Sequence, residues 1–117
     1  MERKFKVLYE EQFDRLLIAS KSTTDKIVGS VRLLNIILDL NTENKVINVE
    51  LIKASQYLES LGIDSKILNK AKKGSFVLKK FRNGYEIIFT LKTQKESVSI
   101  PYNIHLPQKR VALSPIA

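Results

Sequence analysis

Apolar positions recur mostly at helical spacing as far as Gly74 and alternate beyond it. The first stretch is an exception: Lys4-Phe5-Lys6-Val7-Leu8-Tyr9 alternates and predicts a short strand. From Glu10 onward Phe13, Leu16, Leu17 and Ala19 follow a helical period, with acids in the first turn where the helix dipole favours them. Ser20 to Thr24 is a polar break. Thr23 or Thr24 then caps a second helix carrying Ile27, Val28, Val31, Leu34, Ile36, Ile37, Leu38 and Leu40. This helix is apolar over most of its circumference, which predicts a central place in the core. Gly29 lies inside it and marks close packing against a neighbour.

Asn41-Thr42-Glu43-Asn44 reads as a turn and Lys45-Val46-Ile47 as a very short strand. Asn48 is placed to cap a helix from Val49 to about Leu61, whose apolar side is Leu51, Ile52, Ala54, Tyr57, Leu58 and Leu61. Gly62 follows that stripe directly, where a left-handed residue ends a helix without steric cost. Asp64 or Ser65 caps a further short helix through Lys73, and Gly74 ends it by the same device. Phe76 to Phe81 and Tyr85 to Leu91 then alternate on either side of Arg82-Asn83-Gly84, a strong hairpin signal. Ser97 to Ile104 adds a short strand that Pro101 marks as an edge.

Charge sharpens this outline. Residues 1–63 hold nine Lys/Arg and nine Asp/Glu. Residues 64–117 hold eleven Lys/Arg against Asp64, Glu86 and Glu96, so the whole net charge of +8 lies in the second part. It is densest from Asp64 to Arg82, which is the electrostatic footprint of a polyanion binder.

Leu61-Gly62-Ile63 followed by Asp64 to Lys73 has the apolar positions a helix-turn-helix needs. Leu61 and Ile63 pin the turn, while Leu68 and Ala71 turn one face of the second helix inward. With the basic hairpin after it, the stretch resembles the winged-helix family. From Phe5 to Phe89 it is similar to the RepL-type plasmid replication proteins of Gram-positive bacteria. The expected fold is therefore α+β: a winged helix-turn-helix domain of three to four helices with a C-terminal β-hairpin wing over residues 1–106. A basic, flexible tail over 107–117 follows it.

What the resemblance implies is binding of double-stranded DNA by a cytoplasmic homodimer acting in replication initiation or transcription control. Ser65, Lys66, Asn69, Lys70 and Lys73 would face the major groove, and Lys79, Lys80, Arg82 and Asn83 the backbone or minor groove. The dimer contact is expected on the N-terminal helix or the long apolar helix. Leu58 and Ile67, apolar where the motif usually has a small or polar residue, support a second reading: a protein-interaction module or inhibitor that meets an acidic protein surface.

Catalytic readings find no footing in the residues. The chain has no Cys and one His, His105, which argues against a metal site; no glycine-rich phosphate loop or nucleophile elbow occurs. No cofactor and no enzymatic activity are expected. Neither a secretory signal nor a run of about 18 apolar residues is found, so no membrane association is expected.

Overall fold

The N-terminal half forms five strands: β1 falls where a strand is expected, whereas β2, β3, β4 and most of β5 arise where helices are expected. The computed structural model describes residues 5–20 and 26–105. The first hairpin joins β1 (Lys6–Glu10) to β2 (Arg15–Ala19), and the acidic residues read as a helix start form its loop. The stretch read as one long helix is a second hairpin, β3 (Gly29–Leu33) and β4 (Ile36–Leu40), turning on Leu34-Asn35. Leu34 takes a positive φ of 56°. Ile27, Val28, Val31, Ile36 and Ile37 are β-branched, and such side chains pack better on a pleated surface than against the preceding turn of a helix.

β5 (Val46–Ile52) inserts between the two hairpins, giving an antiparallel sheet of order β1-β2-β5-β4-β3. Two inward rows cross this sheet in register: Val7-Ile18-Val49-Leu38-Val31 and Tyr9-Leu16-Leu51-Ile36-Leu33. Ile18, Val49, Leu16, Leu51 and Ile36 are fully buried.

Only two short helices follow, α1 (Ala54–Ser60) and the single turn α2 (Ile67–Lys70). Gly62 ends α1 as expected, at φ +76°. Its N–H donates to Glu59 O, and the Ile63 N–H donates to Leu58 O, the paired bonds of a Schellman cap. Gly74, by contrast, ends no helix and lies inside a strand.

α1 starts without a capping side chain of its own, and Asp14 from the β1–β2 loop supplies one. The Asp14 carboxylate accepts from the Ser55 N–H at 2.9 Å, the Ser55 hydroxyl at 2.7 Å and the Tyr9 phenol at 2.5 Å. The Asp14 backbone O accepts from the Ala54 N–H at 3.0 Å. Burial opposes ionisation of Asp14, but the hydrogen bonds from Tyr9 and Ser55 outweigh it and hold the carboxyl below its usual range. Burial, then the bond to Asp14, pushes Tyr9 up to about 12.

The cap's contribution is therefore complete above about pH 4, where an unfolded aspartate is already ionised, and is lost as pH falls through the lower folded value. The Tyr9 contribution is complete below about pH 10 and lost as pH rises toward 12. Asp14→Ala is expected to cost about 1–2 kcal/mol at neutral pH. The urea midpoint of Asp14→Asn should fall less steeply than wild type between pH 5 and pH 2; parallel curves would overturn this role.

The last three strands form a separate antiparallel sheet of order β6-β7-β8: β6 (Lys73–Phe81), β7 (Gly84–Lys92) and β8 (Ser97–His105). The expected hairpin is present with Arg82-Asn83 as its loop, and β8 is an edge carrying Pro101, as read. Phe76, Ile87, Phe89, Leu91, Ile100, Tyr102 and Ile104 face inward and join one core with the first sheet, α1 and α2. Phe5 meets Phe76 edge-on at 5.4 Å between ring centroids, close to β1. Tyr57 on α1 donates to the Pro101 carbonyl, and the Tyr102 hydroxyl accepts from the Asn35 N–H at 3.3 Å.

This architecture overturns the winged helix-turn-helix. The fold is mostly β, with two antiparallel sheets and two short helices, and the hairpin read as a wing is two-thirds of a three-stranded sheet. Both helices expected to carry a dimer contact are strands. The tail expected from Pro107 and the cap at Thr23 or Thr24 lie outside the described residues.

Candidate nucleic-acid interface

The β6–β7–β8 sheet has one face on the core and one left to solvent, and the residues of the solvent face follow from parity. Counting outward from the Arg82-Asn83 turn, five rows cross it. They run Lys73-Lys92-Ser97, Ser75-Thr90-Ser99, Val77-Ile88-Pro101, Lys79-Glu86-Asn103 and Phe81-Gly84-His105. Val77 and Phe81 are 55% and 54% exposed, large values for apolar side chains within strands. The middle rows are small and uncharged, and the cations gather at the two ends.

Lys73 and Lys92 stand directly opposite each other with no acid in their row. Like charges in that relation repel, so the pair favours an anion placed between them. Lys72 adjoins it, its N–H bonded to Lys92 O, and Lys70 lies two residues earlier at the end of α2. At the far end Lys79, Lys80, Arg82 and Asn83 surround the hairpin tip. Lys79 faces Glu86 across the strands, whereas Lys80, on the other parity, faces Tyr85. Among the described residues the ion pair that forms is Arg15–Glu50, at 3.6 Å on the first sheet, and none forms on the second.

The nine residues read as DNA contacts are thus divided. Lys70 and Lys73 come together at one end, while Lys79, Lys80, Arg82 and Asn83 meet at the other, about 20 Å away along β6 at the usual strand rise. Ser65, Lys66 and Asn69 lie at and within α2, outside the β6–β7–β8 sheet. The Ser65 hydroxyl donates to Glu59 at 2.8 Å, and the Lys66 N–H donates to Asp64 at 3.0 Å. α2 is one turn whose Ile67 and Leu68 are buried, so it cannot lie along a groove and read bases. Ile67, apolar where a polar residue is usual in the motif, is a core residue.

Sequence reasoning missed Lys92, Glu86, Asn103 and His105. The signal for Lys92 was available: extending the hairpin register outward from Arg82-Asn83 pairs position 73 with position 92. Of the phenylalanines on these strands, Phe76 and Phe89 belong to the core and Phe81 is open.

Surface concavities lie at both sheets among the described residues. One of about 360 Å³ lies by Phe5, Phe76, Leu78, Val46, Lys45 and Asn44. Another, about 480 Å³, is at the hairpin tip and includes Phe81, Arg82, Glu86, Asn103 and His105. No group of three metal-ligating side chains gathers among the described residues, and no helix among them is long and apolar enough to cross a membrane. Comparison with protein-family models, curated proteins and solved structures yields no match, so nothing identifies a winged-helix family.

Proposed function

We propose that this protein binds nucleic acid by holding the phosphate backbone across the solvent face of the β6–β7–β8 sheet. The observation that carries this reading is the pairing of Lys73 with Lys92 in a row that holds no acid. Lys72 and Lys70 stand beside that row, and Lys79 and Arg82 stand at the other end of the same sheet. Over residues 64–105, nine Lys/Arg accompany three acids, a net of +6. Between the two ends lie the apolar Val77-Ile88-Pro101 row and Ser75, Thr90 and Ser99, whose hydroxyls can donate to phosphate oxygens. Phosphate contacts of this kind position a strand without reading its sequence.

Fluorescence anisotropy with a labelled 20-nucleotide DNA strand and its duplex, at 50 and 200 mM salt, tests the reading. Binding to at least one should weaken roughly tenfold or more between the two salt concentrations. Lys73→Gln with Lys92→Gln should weaken it further and reduce the salt slope by about two, without loss of fold, because the exchange removes a repulsive pair. Absent or salt-independent binding would assign the basic face to an acidic protein surface instead.

A further inference from the structure

We propose that the concavity at the hairpin tip is a slot for one unstacked nucleobase of a single strand. This rests on the nucleic-acid reading above and adds the ligand class for which the tip is built. The last row of the solvent face is Phe81-Gly84-His105. Two aromatic rings stand on the outer strands, and the residue between them has no side chain.

Neighbouring strands lie about 4.8 Å apart, so Phe81 and His105 spring from backbones about 9–10 Å from each other. A planar ring touching another on each face, at about 3.5–4.0 Å per contact, needs 7–8 Å. A single planar base matches that span between Phe81 and His105, across Gly84, whose missing side chain would point at the β8 backbone rather than out of the face. Any larger residue at 84 is excluded by β8 itself, since an added Cβ would lie 1.9 Å from the Ile104 carbonyl oxygen.

The polar groups around this floor suit the edges of a base and its phosphates. Glu86 and Asn103, paired in the adjacent row, offer an acceptor and an amide that both donates and accepts. Arg82 in the turn and Lys79 before it supply cations where the flanking phosphates of a strand would run. The concavity of about 480 Å³ lies within the size range of small-ligand sites. Phe81 is 54% exposed, so its ring is open to a stacking partner. A duplex keeps its bases stacked inside and offers no free face to such a slot, so the preferred ligand is single-stranded.

The test compares three probes of equal length, each at 50 and 200 mM salt: dodecathymidylate, an abasic twelve-residue backbone with the same phosphates, and a twelve-pair duplex. The single strand should bind roughly 5- to 150-fold tighter than the abasic backbone, the range expected for stacking one base. Phe81→Leu, which keeps an apolar side chain without the ring, should bring the two together, while Phe81→Trp should keep the difference. Thermal unfolding of both variants confirms that they fold.

Equal affinity for the base-bearing and abasic strands, tighter binding of the duplex, or an unchanged preference in Phe81→Leu would each overturn the slot. If the equal affinities still fall steeply with salt, the phosphate-binding reading survives that result. If none of the three probes binds, both proposals fail.

Discussion

Val49→Asp is expected to abolish cooperative folding, or to cost about 4 kcal/mol or more if a folded state survives. Val49 is fully buried in the middle of β5, flanked in register by Ile18 and Leu38, so a carboxylate there meets only apolar neighbours on its face. With domain stabilities of about 5–15 kcal/mol, such a loss removes much of what holds the chain folded. A helix beginning at Val49 would give the opposite result. Asp would then sit in the first turn, where the helix dipole favours an acid, and stability would rise slightly. Leu61→Ser provides the converse. A helix-turn-helix uses Leu61 to pin its turn, but here Leu61 is 42% exposed at the end of α1, and its replacement should cost about 1 kcal/mol or less. Urea denaturation followed by circular dichroism decides both, and a stable Val49→Asp would overturn the β5 assignment.

Gly84→Ala should destabilise the protein by about 3 kcal/mol and lower its midpoint temperature by roughly 10 °C or more. An added Cβ would lie 1.9 Å from Ile104 O, 2.9 Å from Ile104 C and 3.0 Å from His105 Cα. All three are backbone atoms of the neighbouring strand, so no side-chain rotation relieves the contact. Either the β7–β8 ladder opens at its end or β7 shifts away from its partner. Gly29→Ala is the matched control: its added Cβ meets nothing within 4 Å, and the change should be neutral or stabilise by about 0.5 kcal/mol through the unfolded chain. Calorimetry of the two variants separates the cases, and a Gly84→Ala protein melting with wild type would show that Gly84 and His105 are not paired.

The hairpin at Arg82-Asn83, the edge strand with Pro101, the helix stop at Gly62 and the concentration of cations after Asp64 were legible without coordinates. Each rests on a short-range rule that needs no distant partner: a turn dipeptide between alternating runs, a missing N–H, a positive φ, a count of charges. The candidate surface was half legible. Its cations were named, but Lys66 and Asn69 were grouped with them through a helix that is only one turn long. Lys92 was left out because its nearness to Lys73 depends on pairing across the hairpin.

The stretch from Phe13 to Leu40 was misread for a reason visible in its residues. Leu16 and Ile18, or Ile36 and Leu38, satisfy a period of two, yet Phe13, Leu16 and Leu17 also satisfy a helical one. In β5 the buried row Ile47, Val49 and Leu51 gives way within three residues to Ala54 and Leu58 of α1, so a strand and a helix join without a polar break. Lys53 makes that join in a left-handed conformation, at φ 58°, which its residue type does not announce.

By itself, the sequence determined where the chain turns at Asn83 and Gly62, where its charge lies, and that the stretch from Phe76 to Ile104 is built of strands. The tertiary structure decided that the N-terminal half is also a sheet, because a helix closes its hydrogen bonds within its own segment and a strand cannot. β5 exists only because β2 and β4 are there to accept and donate on either side of it, with Ile18 and Leu38 flanking Val49, and no local pattern in Val46–Ile52 carries that information.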